Sequence, residues 1–284
     1  IQVIFPMKYG VIAHFDDMQY LLGSLLETER RLVFGAEYVV AVPTDVTEVE
    51  KKAFYDLVFH SEAKAKSVRI VEKGLADAVG FGMDVIGEKG IFVANFGSGT
   101  TELSVLSQGG MVMNRLLKIG GENFDTSIAS LVRHNREFLI GVLTAEKLRR
   151  EFGVFDQSTD SSITVSGRDL VTGVPAQTDI PISLVRAAMK EPLEECVKAI
   201  RSMIERTPPD VRRAIEKKGI CLTGGMANMR GLPTYLRESI GLPVMTADEP
   251  ELCVVKGLQK IISDRGYYRR LTYSMLDEDY RWLR

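Results

Sequence analysis

The stretch Asn95-Phe96-Gly97-Ser98-Gly99-Thr100-Thr101-Glu102 links two apolar runs that have the composition of β-strands. Glycines let a backbone approach an anion closely, and the successive N–H groups of such a turn can bind a phosphate. The two threonine hydroxyls could donate further hydrogen bonds to it. On its own the turn is a weak signal, because many glycine-rich hairpins bind no ligand.

Two further glycine pairs strengthen the case for a nucleotide. Gly120-Gly121 precedes Glu122 and Asp125 at a predicted helix start, where N–H groups favour phosphate. An ordinary helix start would also carry acidic residues, because they interact well with the helix dipole. Gly224-Gly225 ends a short predicted strand, which is where open α/β sheets bind ligands.

The apolar pattern predicts an α/β fold with a mainly parallel sheet. The run 38–42 is apolar throughout, which predicts a central strand covered on both faces. Thr44, or Thr47 with Glu50 three residues later, predicts the start of a helix that runs to about residue 63. Other strands are predicted at 2–5, 68–71, 163–165, 178–180 and 219–222, with an antiparallel meander at 91–95, 101–106 and 111–119. Other helices are predicted at 15–32, 75–82, 124–136, 144–151, 183–205, 210–217 and 232–240.

Composition excludes several classes of protein. The chain has 284 residues, and its 36 Lys+Arg against 38 Asp+Glu argue against a nucleic-acid binder. The three cysteines, Cys196, Cys221 and Cys253, are far apart, which argues against a disulfide framework or a zinc site. No uncharged apolar run reaches the ~18 residues of a membrane span, and the first residues do not resemble a signal peptide.

Several segments together resemble the MreB/Mbl family of bacterial actin-like proteins, over about residues 1–260. They are Val42-Pro43 with Val46-Thr47-Glu48-Val49-Glu50-Lys51, Gly99-Thr100-Thr101-Glu102, Gly120-Gly121-Glu122 with Phe124-Asp125, Gly167-Arg168-Asp169-Leu170-Val171-Thr172-Gly173, Thr207-Pro208-Pro209, and Leu222-Thr223-Gly224-Gly225 with Arg230-Gly231-Leu232. The run 167–173 is specific, and it disfavours a small-molecule kinase of the same superfamily.

The resemblance implies an actin-like ATPase fold, with two duplicated, ribonuclease H-like domains around a cleft that holds ATP or ADP with Mg²⁺. Domain I would comprise residues 1–90, completed by 258–284. Domain II would comprise 91–121 and 190–257, with subdomain IIB at 122–189. The family's first phosphate turn, near the N terminus, has no match, so the chain is expected to begin about sixty residues into a typical member, without the first part of domain I.

The resemblance also assigns cofactor-binding residues. The phosphates would lie at Asn95, Gly97, Ser98, Gly99, Thr100 and Thr101, and at Gly120, Gly121, Glu122 and Asp125. The adenosine would lie between Glu146 and Arg149 on one side and Gly224, Gly225, Met226 and Ala227 on the other. Met226 replaces a third glycine, which would narrow the adenine pocket.

Two substitutions predict weak hydrolysis. Asn95 replaces the aspartate that helps to hold the Mg²⁺ hydration shell, so no direct metal ligand is expected from the chain. Lys73 replaces the glutamate that positions the attacking water, and a protonated lysine is no base. Loss of a general base lowers a rate by roughly 10²–10⁴-fold. Neighbouring Glu72 is the alternative catalytic residue, although it should face the other way along the strand.

The resemblance places this chain in the cytoplasm, peripheral to the inner face of the cell membrane. Leu32, Val33 and Phe34, next to Arg30 and Arg31, are the candidate membrane contact, although they could equally pack on the core. The aromatic and arginine-rich tail 267–284 could bind a partner or lie on the membrane interface, or it could pack as a final helix on domain I with a frayed end.

The implied function is a membrane-associated cytoskeletal filament that maintains cell shape and organises peptidoglycan synthesis. Its partners would be copies of itself, other MreB paralogues and cell-elongation membrane proteins, but no nucleic acid. The main alternative is a non-hydrolysing scaffold that copolymerises with a competent MreB and regulates it. A third is an active ATPase whose upstream segment is missing from this sequence.

Overall fold

The computed structural model describes residues 3–26, 35–61, 65–152 and 161–276. Its strands are Met7–Lys8 (β1), Val11–Ile12 (β2), Ala36–Val42 (β3), Ala65–Glu72 (β4), Ile91–Phe96 (β5), Thr101–Ser107 (β6), Gly110–Leu117 (β7), Phe138–Leu139 (β8), Ser162–Asp169 (β9), Pro175–Pro181 (β10), Ile220–Thr223 (β11), Val244–Thr246 (β12) and Thr272–Tyr273 (β13). Its α-helices are Phe15–Leu26 (α1), Glu48–Phe59 (α2), Lys73–Phe81 (α3), Gly121–Arg136 (α4), Val142–Phe152 (α5), Ile182–Arg206 (α6), Pro209–Lys218 (α7), Leu232–Ile240 (α8), Cys253–Ser263 (α9) and Arg265–Tyr268 (α10).

A five-stranded sheet in the order β12-β11-β5-β6-β7 carries the glycine-rich turns. The meander β5-β6-β7 is antiparallel, as predicted, and β11 pairs in parallel with both β5 and β12. Every residue of β5 is buried because its side chains alternate between two cores. Phe92 and Phe96 face the core beneath α4 and α6, whereas Ile91 and Val93 face α3.

A second sheet has the order β13-β4-β3. The predicted run 38–42 lies in β3 and is covered on both faces, by α2 on one side and by α9 on the other. The expectation that it is the central strand is wrong for the described residues, because β4 is central there and β3 lies at the edge. An apolar run indicates that both faces of a strand are covered by other elements. It does not indicate whether both edges of the strand are hydrogen-bonded to neighbouring strands.

Helices α3 and α9 cross between the two sheets, and two glycines bring them close together. A Cβ at Gly80 would collide with the carbonyl oxygen of Cys253, and one at Gly257 would collide with that of Ala76. The crossing therefore requires the absence of side chains at both positions. It fixes the position of α3, whose first residue is Lys73.

Most local predictions are confirmed, and the exceptions lie mainly near the ends of elements. Thr47 and Glu50 form the predicted capping box, although α2 ends at Phe59. The strand predicted at 2–5 is wrong for its described residues, which precede a short hairpin instead. This hairpin turns at Tyr9 and Gly10, whose φ angles of 50° and 81° suit a two-residue hairpin turn. The short strands predicted at 163–165 and 178–180 are parts of one longer hairpin, β9-β10.

The candidate membrane contact, Leu32, Val33 and Phe34, lies outside the described residues. So does the end of the helix that the sequence predicts to residue 32. Among the described residues, every helix is too short or too polar to cross a lipid bilayer.

We expect Gly80→Ala to lower the free energy of unfolding by about 2 kcal/mol or more, because overpacking forces α3 and α9 apart. Gly23→Ala in α1 is the matched control, since a Cβ there meets nothing within 4 Å. Gly23→Ala should raise the free energy of unfolding by up to about 1 kcal/mol, because alanine favours a helix more than glycine does. Urea unfolding measures both, and equal stability of Gly80→Ala and the unmodified chain would contradict the close crossing.

Candidate functional site

The glycine turn, which we define as residues 97–101, is held in shape by its own backbone and by the start of α4. The Gly97 N–H donates to the Thr100 carbonyl over 2.8 Å. The N–H groups of Gly121 and Glu122 donate to the carbonyls of Gly97 and Ser98, over 3.1 and 2.9 Å. The first N–H groups of α4 therefore bind the turn and are not free for a ligand.

The backbone N–H groups that lack a backbone acceptor lie on the glycine turn itself. Within the described part of the chain, the backbone N–H groups of Ser98, Gly99 and Thr100 have no backbone acceptor. Gly120 packs so tightly below them that a Cβ would collide with the Ser98 carbonyl oxygen. The expectation that both threonine hydroxyls donate to a phosphate is wrong for Thr101, whose buried hydroxyl donates to the Ile119 carbonyl over 2.8 Å.

A cavity of about 510 Å³ opens beside the glycine turn. Its lining contains predicted cofactor residues from four separate segments, namely Ser98, Gly121, Glu146, Arg149, Gly225 and Met226. It also contains Arg150, Asn228, Met229 and Glu251, which the sequence did not single out. A volume of this size lies within the usual range for pockets that bind small organic ligands.

A buried ion pair forms one wall of this cavity. Arg149 Nε and Nη2 donate to the two carboxylate oxygens of Asp125, over 2.7 and 3.2 Å. Glu146 Oε1 lies 3.9 Å from Arg149 Nη2 and 2.7 Å from Arg150 Nη2. Because both oxygens of Asp125 face the guanidinium, that carboxylate orients Arg149 and is not directed at a ligand.

The opposite wall is the turn that follows β11. Gly224 has a φ of 82°, and a Cβ there would collide with the carbonyl oxygen of Phe96 at the end of β5. Met226 and Ala227 are buried in the short 3₁₀ helix Gly225–Asn228. A Cβ on Gly121 would lie 3.6 Å from the Met226 sulfur, so Met226 packs close to the start of α4 and lines the cavity; its narrowing of an adenine pocket stays a prediction.

Lys73 lies at the base of the glycine-turn hairpin. Its ammonium is 3.3 Å from Asn95 Oδ1 and 3.2 Å from Glu102 Oε2. Asn95 and Glu102 are opposite each other in the β5-β6 pair. Glu72 precedes Lys73 at the start of α3, and its buried Oε2 atom has no hydrogen-bond partner among the described residues.

Asp77 anchors this arrangement from inside α3. Its Oδ2 atom accepts hydrogen bonds from Asn95 Nδ2 over 2.8 Å and from the Thr223 hydroxyl over 2.6 Å. Burial raises the pKa of Asp77 to about 6, although these two hydrogen bonds and the charge of Lys73 favour the carboxylate. We name the set Lys73, Asp77, Asn95, Glu102 and Thr223 the Lys73 cluster.

Comparison with known proteins identifies the family. The family model described as MreB/Mbl protein matches residues 1–269. The chain belongs to the MreB/Mbl family. It is 35% identical to the cell shape-determining protein MreB of Escherichia coli (strain K12) over 261 residues, which are 90% of this chain and 75% of that protein. It is 32% identical to the cell shape-determining protein Mbl of Bacillus subtilis (strain 168), over 90% of this chain and 78% of that protein.

Solved structures show that this MreB/Mbl chain has the actin-like fold. MreB5 of Spiroplasma citri bound to ADP superposes with a TM-score of 0.87 and 28% identity, over 94% of this chain and 80% of that one. The same protein bound to AMPPNP gives a TM-score of 0.86 and 27% identity. The MamK double helical filament, at a TM-score of 0.77 and 16% identity, agrees on the fold alone.

Glu102 and Asp77 belong to the Lys73 cluster but were not predicted as site residues. The sequence contains a partial signal for each of them. Glu102 ends the quoted glycine-rich stretch, and the hairpin register alone places it opposite Asn95. Asp77 is the only acidic residue in the segment 73–81, which makes it unusual in a buried helix of this MreB/Mbl chain. Its partners could not be predicted, because Thr223 is 146 residues away.

We expect Asp77→Asn to stabilise the chain above about pH 6 but not near pH 4. The pKa of Asp77 in the folded chain lies above the ordinary value of 3.8, so between about pH 4 and pH 6 the folded chain retains a proton that the unfolded chain has lost. Wild-type stability therefore falls as the pH rises from about 4 to about 6, by roughly 3 kcal/mol in total, whereas asparagine does not titrate.

Urea unfolding of both proteins across this pH range is the measurement. Asp84→Asn is the control, and its effect on stability should have the opposite sign, because hydrogen bonds from the Tyr267 hydroxyl and the Gly87 N–H lower the pKa of Asp84. That variant should lose stability at neutral pH. A difference between Asp77→Asn and wild type that is constant with pH would contradict the buried carboxylate.

Proposed function

We propose that this chain binds ATP and ADP between the glycine turn and the turn at Gly224, as a cytoskeletal protein of the MreB type. The observation that carries the proposal is the cavity of about 510 Å³ that these two turns share with α5. Support also comes from the similarity over 94% of this chain to MreB5 of Spiroplasma citri, whose structure contains ADP.

The nucleotide would lie with its base and ribose in the cavity and its phosphates on the glycine turn. Met226 and Met229 offer apolar contacts for a base, while Glu146 and Glu251 offer carboxylates for ribose hydroxyls. The free N–H groups of Ser98, Gly99 and Thr100 suit phosphate oxygens. Gly120, Gly121, Glu122 and Asp125 would act indirectly, by holding the turn and Arg149.

The domain boundaries given by the resemblance are part of the same proposal. Residues 1–90 with 258–284 would form domain I, around the sheet β13-β4-β3. Residues 91–121 with 190–257 would form domain II, around the five-stranded sheet, and 122–189 would form subdomain IIB. The glycine crossing of α3 and α9 would then lie at the border of the two domains, because Gly80 belongs to domain I and Gly257 is the last residue of domain II.

Hydrolysis would be weak. Lys73 is paired with Glu102, and a protonated ammonium cannot accept a proton from water. Glu72 carries a buried carboxylate oxygen without a partner, so it is the second candidate for a base. The expected Mg²⁺ stays a prediction, and the described residues at the turn do not suit it, because the carboxylate of Glu102 is already neutralised by Lys73.

We further propose that the chain polymerises in the cytoplasm on the inner face of the membrane, maintains cell shape and organises peptidoglycan synthesis. Its partners would be copies of itself, other MreB paralogues and membrane proteins of cell elongation. The names of the curated relatives support the role in cell shape. Apolar Leu32, Val33 and Phe34 beside two arginines support the membrane contact.

We expect Gly225→Leu to weaken binding of a fluorescent ADP analogue by about tenfold or more, because leucine fills the cavity. The change should not disturb the fold, since the nearest atom to a Cβ at Gly225 is Glu251 Cβ at 3.9 Å. Gly141→Leu is the matched control, at an exposed position where a Cβ meets nothing within 4 Å. Unchanged affinity of Gly225→Leu would place the nucleotide elsewhere.

The alternative function is a non-hydrolysing scaffold, and the pairing of Lys73 with Asn95 and Glu102 favours it. Phosphate release from ATP should be near background for the wild type. It should rise in the triple variant Lys73→Glu, Asn95→Asp and Asp77→Asn, by about 10²-fold or more. The third change reverses the hydrogen bond between positions 77 and 95 and so avoids adjacent carboxylates at these two positions. The carboxylates introduced at 73 and 95 would lie beside Glu102, so the assay contains Mg²⁺ to neutralise them. Rapid phosphate release by the wild type would eliminate the scaffold.

A further inference from the structure

The Lys73 ammonium is the exposed member of an otherwise buried set. The side chain of Lys73 is 23% exposed, whereas that of Glu102 is 2% exposed and Asn95 is buried. An ammonium has three N–H donors, and two acceptors in the Lys73 cluster lie within reach of them. At least one N–H donor of the ammonium therefore remains without an acceptor in the cluster. The ammonium lies at the base of the glycine turn, where it shares its charge with Glu102.

The acceptors of this ammonium are held in place by other parts of the fold. Asn95 donates through Nδ2 to Asp77, so its Oδ1 atom must point towards Lys73. Glu102 Oε1 accepts from the Thr44 N–H over 3.3 Å, and its Oε2 atom forms an ion pair with Lys73 at 3.2 Å that does not have hydrogen-bond geometry. The position of the charge is therefore set before any ligand arrives.

The same groups suit a divalent cation poorly. Mg²⁺ prefers carboxylate oxygens and water in octahedral geometry, but Asn95 offers no charge and its oxygen already faces the ammonium. A second cation beside Lys73 would be repelled at short range. Across the described residues, no three His, Cys, Asp or Glu side chains come together as metal ligands would.

We propose that the Lys73 ammonium takes the place of a divalent cation at the glycine turn, so that this chain binds nucleoside di- and triphosphates in their metal-free form. Lys73 is also the first residue of α3, whose N-terminal dipole adds to the positive field on the phosphates. This inference rests on the proposed nucleotide site and concerns how its phosphate charge is neutralised.

The test is the affinity for a fluorescent ADP analogue in EDTA and in excess Mg²⁺. The wild type should bind equally under both conditions, within about threefold. Lys73→Met should weaken binding in EDTA by about tenfold or more, and Mg²⁺ should restore it, because removal of the lysine frees Glu102 and Asn95. Lys89→Met, at an exposed lysine, is the matched control and should behave as wild type.

Several outcomes would overturn the inference. Wild-type binding that disappears in EDTA overturns it and leaves the proposed function standing. Equal affinities of Lys73→Met and wild type in EDTA also overturn it. No binding under either condition overturns both proposals. Circular dichroism checks folding, and if Lys73→Met does not fold, Lys73→Met with Glu102→Gln removes the ion pair without leaving a buried charge. This double variant replaces it in the EDTA measurement, where it should bind about tenfold or more weakly than wild type.

Discussion

The two hydrogen bonds that converge on Asp77 Oδ2 are the constraint on which the rest of the site depends. They come from Asn95 at the end of β5 and from Thr223 at the end of β11, two strands that pair in parallel at these residues. A helix between the sheets is thereby tied to the strand ends that precede both glycine-rich turns. The orientation of the Asn95 amide, the place of Lys73 and the approach of the two turns all follow from this one junction.

The sequence predicted the parts of the fold whose causes are local. The meander of β5, β6 and β7 could be predicted because each turn carries its own glycines, and α2 because its capping box spans four residues. The edge position of β3 and the full length of the β9-β10 hairpin could not, because both depend on strand pairing between distant segments. Polar residues such as Thr164 and Asp179 in that hairpin also weaken the apolar pattern on which strand prediction rests.

The candidate site divides in the same way. Glycine-rich stretches indicate turns from the local sequence alone. The turns at residues 97–101, Gly120-Gly121 and Gly224-Gly225 could therefore be predicted directly. Which hydroxyl faces a ligand is decided by strand register, and for that reason the role expected of Thr101 was wrong. Asn228 and Glu251 reach the cavity only because their segments pack together in three dimensions, with a hydrogen bond of 2.8 Å between them.

The start of α4 has a consequence for the kinetics of ligand exchange. Its N–H groups are bonded to the carbonyls of Gly97 and Ser98, so the protein itself holds the glycine turn in shape in the absence of a phosphate. Conformational entropy that a flexible loop would lose on association has already been lost during folding. A ligand that reaches such a rigid turn needs no loop rearrangement, so its rates of arrival and departure are set by diffusion and by the opening of the surrounding cleft.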